Sequence, residues 1–317
     1  MLTKKSPKLY LISALLVGVI LISGCASGSN APAGLGNGIA ILEFRSNQEA
    51  TQLRSNEPVQ FTARIQNQGT IKAKNVKANV VELLDREKWP GITEQFLGDL
   101  TGFNQEQNLP GPVRTITFNS RTPSYGVQQT VQPKLSIKYD NVLKGSGTIT
   151  LVDADTFVQR KDSGQGLTTD FGTSDSGPLQ IQIDVPEVRT TTQGTTYDLL
   201  VPVHILITDK LGKPSIAHVT QGLAQSQDYT YPVRANIKWP SRLSLDYTGS
   251  DPLCQNGIVN LNRGTNYDTT CILRVTSPPQ RGAAAEKVSL EVELQYTYEV
   301  LQPLAQPIIV LKSSTGF

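Results

Sequence analysis

A five-residue sequence occurs twice in this chain with little change, and this repeat constrains the fold more than any other feature. Residues 76–80 read VKANV and residues 233–237 read VRANI, 157 positions later. The same offset aligns apolar positions further along: Ile116 with Leu273, Phe118 with Val275, Leu135 with Val292, Ile137 with Leu294, Tyr139 with Tyr296 and Leu151 with Ile308. The sequence therefore predicts two homologous units of about 140 residues, near the commonest domain size.

A second offset applies near the start of each unit. An offset of 139 places Leu42 on Ile181 and Phe44 on Ile183. The difference between the offsets predicts 18 additional residues in the second unit before VRANI, and residues 220–228 are the expected position of this insertion. Loops accept such added length at a small entropic cost.

The chain between the turns has the pattern of β-strands. Val233, Ala235 and Ile237 alternate with polar residues, which is typical of a strand with one face in a core and one in water. A single Met, 26 Gly and 19 Pro also favour short strands joined by turns. Only Thr93–Phe103 shows helical spacing, which Gly98 weakens. Strands are predicted at Ile39–Phe44, Val59–Gln66, Lys134–Tyr139, Gly147–Val152, Leu179–Val185, Leu200–Thr208, Val288–Tyr298 and Ile308–Lys312.

The N-terminus has the features of an export signal. Three lysines precede an apolar stretch at Leu9–Ile22, which is too short to span a bilayer comfortably and suits a secretory signal. The stretch ends in LISGC at Cys25, which resembles the lipobox of prokaryotic lipoproteins, although Ile22 stands where Leu is usual. The resemblance implies that the Cys25 thiol carries a diacylglycerol-type lipid and becomes the mature N-terminus. An ordinary cleaved signal and an uncleaved anchor are the alternatives.

Removal of this signal changes the charge balance. The chain has 29 Lys and Arg against 27 Asp and Glu, and three of the lysines but none of the acids precede Cys25, which leaves 26 against 27. The mature chain therefore has no basic stripe for nucleic acid. Residues 25–37 are rich in Gly, Ser, Ala and Pro and are predicted to be a flexible tether with a reach of roughly 20 Å.

Residues 59–76 carry a second family resemblance. A strand is followed by Asn67-x-Gly69 and then by Ala73-x-Asn75-Val76 and another strand. This order resembles the CARDB type of immunoglobulin-like domain found in extracellular proteins of bacteria and archaea. The resemblance implies a β-sandwich used for display, spacing or adhesion, and it implies no reaction.

These features together predict an all-β chain with two tandem immunoglobulin-like antiparallel β-sandwich domains. The predicted parts are the signal peptide (1–24), the lipidated Cys and tether (25–37), domain 1 (38–158), a linker (159–176) and domain 2 (177–317).

The sequence offers little catalytic chemistry. No Gly-x-Ser-x-Gly, His-Glu-x-x-His or Cys-x-x-Cys motif occurs. His204 and His218 lie in or beside apolar strands, and His204 is interpreted as an ordinary strand residue rather than a ligand. Asp153-Ala-Asp155 lacks the further ligands and glycine of a calcium loop, so a turn or strand end is the favoured interpretation. We predict no enzymatic activity, no cofactor and no metal site.

Cys254 and Cys271 are predicted to form a disulfide. They are an even pair in an exported chain, where disulfides persist, and turn signals between them allow the chain to fold back. Their Cα atoms should lie within about 7 Å of each other. Two free buried thiols are the alternative.

Tyr229 and Tyr231 are the candidate binding residues. They are two positions apart and therefore lie on one face of an extended segment. If exposed, they can stack on sugars or anchor a protein partner; in the alternative they pack at the start of the following strand.

The predicted function is that of a membrane-anchored, extracytoplasmic lipoprotein of the cell surface or envelope. It acts as a non-enzymatic structural, spacer or protein-interaction module, with other surface proteins or glycans as partners. A carbohydrate- or peptide-binding adhesin is the alternative, and an extracytoplasmic hydrolase comes third.

Overall fold

A computed structural model describes most of the chain after residue 36. The described residues are 37–48, 52–164, 172–173, 177–185, 189–193, 196–210, 217–220, 230–246, 252–262, 266–277, 279–280 and 284–313. The predicted signal peptide, Cys25, Tyr229 and nearly all of the predicted tether lie outside these residues.

The first half of the chain consists of strands with one short 3-10 helix at Arg86–Lys88. Its strands are β1 (Ile39–Ser46), β2 (Gln52–Leu53), β3 (Pro58–Asn67), β4 (Ala73–Val81), β5 (Gln95–Leu100), β6 (Val113–Arg121), β7 (Gln129–Val131) and β8 (Lys134–Leu151).

Two further elements follow β8 before the second half begins. Helix α1 (Ala154–Asp162) is capped by Asp153, whose carboxylate accepts hydrogen bonds from the Thr156 backbone N–H and hydroxyl. The short strand β9 (Gly172–Thr173) comes next. The predicted linker at 159–176 therefore contains the end of a helix and a strand, because Asp153 supplies an N-cap where the sequence suggested only a turn.

The second half is again composed mainly of strands, with helix α2 (Pro252–Asn256) before β16. Its strands are β10 (Leu179–Asp184), β11 (Arg189–Gln193), β12 (Thr196–Asp209), β13 (Ala217–Thr220), β14 (Thr230–Lys238), β15 (Leu243–Leu245), β16 (Ile258–Asn262), β17 (Asn266–Val275), β18 (Glu286–Pro303) and β19 (Ile308–Val310).

The strands form sheets that are antiparallel apart from one short pair, which confirms the predicted all-β sandwich class. The largest sheet has the order β5-β4-β8-β18-β14-β16-β17-β12-β10-β9, and a smaller one has the order β1-β3-β6. A third sheet, β2-β19-β7, contains the parallel pair β19–β2. The inward side chains of alternate strand positions form one connected apolar core.

The two pentapeptides occupy equivalent positions in the large sheet. VKANV lies on β4 beside β8, and VRANI lies on β14 beside β18. Ala78 pairs with Ile137, and Ala235 pairs with Leu294, so both members of the pair keep the offset of 157. The register therefore confirms the predicted structural repeat at these strands.

The two halves meet along the antiparallel pair β8–β18. This pair runs from Lys134↔Pro303 to Leu151↔Glu286 without a register shift. Asp140 pairs with Thr297, and these two residues are themselves 157 positions apart. The pair is therefore the point about which the repeat is arranged, with β4 on one side and β14 on the other.

The alignment of the unit starts needs one correction. The register of β1 against β3 skips Leu42, which is a β-bulge residue and is 43% exposed. Ile41 pairs with Ile65 as Ile181 pairs with Ile207, so Ile181 corresponds to Ile41. The prediction that Leu42 aligns with Ile181 is wrong, because the bulge adds one residue to β1 that β10 lacks.

Two element predictions also differ from the structure. Thr93–Phe103 contains β5, not a helix, because Gln95 to Leu100 pair with the edge of β4 and Gly98 adopts a φ of 75° at a bulge. The two strands predicted at Lys134–Tyr139 and Gly147–Val152 are one strand, β8, because β18 supplies a partner along its whole length.

The last strand of the chain crosses back to the first half. β19 lies between β2 and β7, with Ile308 and Val310 buried. The described residues form a single compact unit, in which both halves share the β8–β18 pair. The division into two domains stays a prediction.

Candidate functional site

The outward side of the central strands is a polar surface, which we call the central face. It lies opposite the core side of β8 and β18, because successive side chains of a strand point to opposite faces. Its side chains come from β4, β8, β18 and β14: Lys74, Lys77, Lys138, Asp140, Lys144, Glu291, Glu293, Gln295, Thr297, Glu299, Arg234, Asn236 and Lys238.

Ion pairs across neighbouring strands order much of this face. Lys144 of β8 lies opposite Glu293 of β18, and their charged atoms are 3.2 Å apart. Lys238 of β14 lies opposite Glu291, at 3.0 Å. Directly opposed charges of this kind stabilise a sheet modestly and hold the long side chains in register.

Two carboxylates of β18, Glu291 and Glu293, lie between β8 and β14, and Glu293 is the more enclosed of the two. Only 19% of its side chain is exposed, and it accepts a hydrogen bond of 2.9 Å from Gln295. The Gln295 amide and then the Lys144 ammonium lower the pKa of Glu293. Glu293 is therefore a carboxylate at neutral pH, held between two donors.

Asp140 joins three strands at the centre of the repeat. It accepts hydrogen bonds from the Asn75 side-chain amide at 2.8 Å and from the Thr297 hydroxyl at 2.7 Å. Its carboxylate is therefore already satisfied and serves to connect β4 and β18 to β8.

A first depression opens where β4 begins beside β8, and we call it the lysine depression. It has a volume of about 650 Å³. The Lys72 ammonium on its rim lies 2.8 Å from the Asp99 carboxylate, which lowers the pKa of Asp99. Its lining residues are Thr70, Ile71, Lys72, Lys74, Gln105, Val142, Lys144 and Glu293.

A second depression of about 390 Å³ lies on the β14 side of Glu293, and we call it the arginine depression. Its polar lining comes from Arg234, Asn236 and Gln295, and its wall is formed by Gly257 and Ile258. Glu293 lines both depressions, so they meet at this residue.

The predicted disulfide is present and lies behind this wall. Cys254 and Cys271 are bonded, with their Cα atoms 5.7 Å apart, which confirms the prediction. The bond fastens α2 to β17, and the Gly257 carbonyl then accepts a 2.8 Å hydrogen bond from the Ala235 N–H. The disulfide therefore holds the wall of the arginine depression against β14.

The structure describes only some of the other predicted site residues. Cys25 and Tyr229 lie outside the described residues, and the backbone of Tyr231 lies on β14 opposite Leu261. The binding surface predicted at Tyr229 and Tyr231 therefore stays a prediction. His204 contacts the carboxylate of Asp268 on the outward side of β12.

Sequence reasoning missed the central face. Its members alternate with apolar residues, as in Glu291-x-Glu293-x-Gln295, and this period of two predicts an outward strand face. The alternation does not reveal that the partner of Glu293 is Lys144, which is on β8, a strand far from β18 in the sequence but next to it in the sheet. The pairing of β8 with β18 creates the site.

Comparisons with protein-family models and with curated proteins found no match for this chain. Among the described residues, no group of three or more His, Cys, Asp or Glu side chains is arranged to hold a metal ion. In the same part of the chain, no helix is both long and apolar enough to cross a membrane.

Proposed function

We propose that this protein is an exported lipoprotein whose folded part is a non-catalytic binding module. The N-terminal sequence carries the proposal: three lysines, the apolar stretch Leu9–Ile22 and the lipobox-like ending at Cys25. A diacyl lipid on Cys25 would hold the chain on the outer side of a membrane, and residues 25–37 would connect it to β1.

The disulfide supports export. Disulfides form and persist in oxidising compartments outside the cytosol, and the bond between Cys254 and Cys271 is enclosed by the fold. Both cysteines are buried, which favours a structural role for the bond.

The position of β1 supports a display role for the central face. The first N–H of β1, at Ile39, donates a 3.4 Å hydrogen bond to the Tyr139 hydroxyl. Tyr139 is on the core side of β8, so β1 begins on the side of β8 opposite the central face. A tether that joins at this point leaves the central face unobstructed by its attachment.

A binding role accounts for the face better than a spacer role does. A spacer requires a stable sandwich with a solvated surface and needs no depressions. The lysine and arginine depressions instead combine cations, amides and one enclosed carboxylate within a small area. This favours the interaction module, and with it the adhesin that the sequence left as the alternative.

The anchor is tested by mass spectrometry of the protein extracted from the membranes of an expressing prokaryotic cell. The expected mature N-terminus is Cys25 carrying a diacylglyceryl group, and Cys25→Ala should remain unprocessed or be released. Cys271→Ala is the matched control, because it removes another cysteine and should leave the lipid in place. An unmodified N-terminus at a later residue would refute the anchor.

A further inference from the structure

We propose that the central face binds an acidic polysaccharide, a sugar polymer with spaced carboxylates, whose chain crosses β8, β18 and β14 between the two depressions. The inference rests on the binding role proposed above, and it does not depend on lipidation of Cys25. Three features of the face point to this ligand: the position of its unpaired cations, the chemistry of its lining and the carboxylate between the depressions.

The cations available to a ligand lie at opposite ends of the site. Lys72 and Lys144 are engaged with Asp99 and Glu293. Lys74 in the lysine depression and Arg234 in the arginine depression form no salt bridge with any residue that the structure describes, and both are exposed. A carboxylate at either end therefore gains a charged partner without breaking an existing pair, and Arg234 can bind it in a bidentate manner.

The separation of these two cations sets the spacing of the ligand charges. Lys74 is on β4 and Arg234 is on β14, three strand spacings away in the order β4-β8-β18-β14. At about 4.8 Å per spacing, their backbones are about 15 Å apart. A ligand that occupies both depressions is therefore an extended molecule of several units.

The residues between the two ends suit sugar hydroxyls. The amides of Gln105, Asn236 and Gln295 and the hydroxyl of Thr70 line the depressions. Amide groups both donate and accept hydrogen bonds, as sugar hydroxyls do.

Glu293 disfavours a densely charged polymer. Its carboxylate stands where the depressions meet, and the lowered pKa keeps it ionised. A chain with a charge on every short unit, such as polyphosphate or nucleic acid, would place anions beside it. A ligand with hydroxyls at this point and carboxylates at the ends avoids that repulsion.

Binding is tested by titration calorimetry of the purified full chain in detergent at low salt. The ligands are an oligohyaluronan, in which glucuronate alternates with the uncharged sugar N-acetylglucosamine, its fully methyl-esterified form, an oligoglutamate of similar length and inorganic polyphosphate. We expect binding of oligohyaluronan, at least tenfold weaker binding of the ester, and weaker binding in higher salt, because carboxylate charge supplies the attraction.

Three variants locate the site. Lys74→Gln and Arg234→Gln should each weaken oligohyaluronan binding by about tenfold, the typical effect of losing one charged hydrogen bond. Lys238→Gln is the matched control, because Lys238 is on the same face but lines neither depression. The Lys238→Gln variant should bind the oligosaccharide as tightly as the wild type does. Equal unfolding midpoints should show that all three variants fold.

Several outcomes would overturn the proposal. If the ester binds as tightly as the free acid, carboxylate charge does not supply the attraction. If oligoglutamate binds as tightly as the oligosaccharide or more tightly, the natural ligand is an acidic peptide instead. Tighter binding of polyphosphate would contradict the role given to Glu293. Absence of binding to all four ligands would reject the site while leaving the lipid on Cys25 untouched, so the two proposals fail separately.

Discussion

The two halves of the molecule place the same pentapeptide in the same register, but they secure the surrounding strands differently. In the first half, Asn67 ends β3, and its side-chain amide donates to the carbonyls of Ile71 and Leu100 at 2.8 and 3.0 Å. In the second half, Asp209 ends β12 at the corresponding position and accepts a 2.8 Å hydrogen bond from the Tyr298 hydroxyl.

The halves also differ in how they are closed. The second half contains the disulfide between Cys254 and Cys271. In the first half, β2 and β7 instead pair with β19, which comes from the end of the chain. Similar strand patterns in a repeat therefore do not imply similar stabilising contacts. The contacts that differ lie in turns, chain ends and cross-links, because the repeated strand pattern does not specify the residues at these positions.

The largest expected effect concerns β19. Replacing both Ile308 and Val310 with Ala should destabilise the protein by roughly 3–7 kcal/mol, because both side chains are buried and their loss leaves a cavity. Urea unfolding followed by fluorescence measures this, with buried Trp89 as the reporter in the first half. Ile309→Ala is the control, since Ile309 is only half-buried. An equal loss in the control would contradict a specific role for the inward residues.

The next effect concerns the cross-link of the second half. Replacing both Cys254 and Cys271 with Ala should destabilise the protein by about 3 kcal/mol, because the bond closes a 17-residue separation and restricts the unfolded chain. The comparison is sharpened by hydrogen exchange, which should increase first around Gly257 and Ile258. Increased exchange confined to β3 and β6 would show that the cross-link does not act locally.

The repeated pentapeptide provides a stricter comparison. Val80→Ala should cost about 2 kcal/mol, since Val80 is fully buried, whereas Ile237→Ala should cost about 1 kcal/mol because Ile237 is only partly buried. This order of the two losses is informative because Ile237→Ala removes more atoms than Val80→Ala and would cost more if both sites were equally buried. Urea midpoints of the two variants measure it, and the reverse order would show that burial does not distinguish the two copies.

The last comparison concerns the tyrosines at the contact of the halves and depends on pH. Burial raises the pKa of Tyr139, Tyr296 and Tyr298. Below about pH 10 these hydroxyls are neutral in both the folded and the unfolded chain, so pH has no effect through them. Above pH 10 only the unfolded chain ionises, and stability should fall by about 1.4 kcal/mol per pH unit for each buried tyrosine.

Tyr298→Phe tests this assignment. It should cost about 1 kcal/mol near neutral pH, because the hydrogen bond to Asp209 is lost, and it should reduce the alkaline slope by the share of one tyrosine. Chemical denaturation between pH 8 and 11 measures both quantities. An unchanged slope in the variant would show that Tyr298 does not remain neutral in the folded chain.

The sequence predicted the elements well where the pattern was local. Period-two alternation located β3, β12 and the strands that carry the pentapeptides. The prediction failed at Thr93–Phe103. The apolar residues there have helical spacing, but the segment forms β5 because it pairs with the edge of β4. It also divided β8, because the weakly apolar centre of this strand is stabilised by its pairing with β18.

The candidate site was beyond prediction for the same reason. The alternation around Glu293 indicates an outward strand face, but the cations of the lysine depression come from β8, from β4 and from the residue before β4. Nothing local to Glu293 identifies Lys144 as its partner. In contrast, the pairing of Cys254 with Cys271 was predictable, because only two cysteines follow Cys25 and turn signals separate them.

The sequence by itself determined the strand content and the repeated pentapeptide, and it predicts the export signal, because each depends on residues that are close together or on a regular offset. Only the tertiary structure decided that β8 and β18 pair, that β19 returns to the first half and that Glu293 lies between two depressions. The physical reason is that alternation specifies which face of a strand is buried, whereas the choice of neighbouring strand depends on burying all such faces at once.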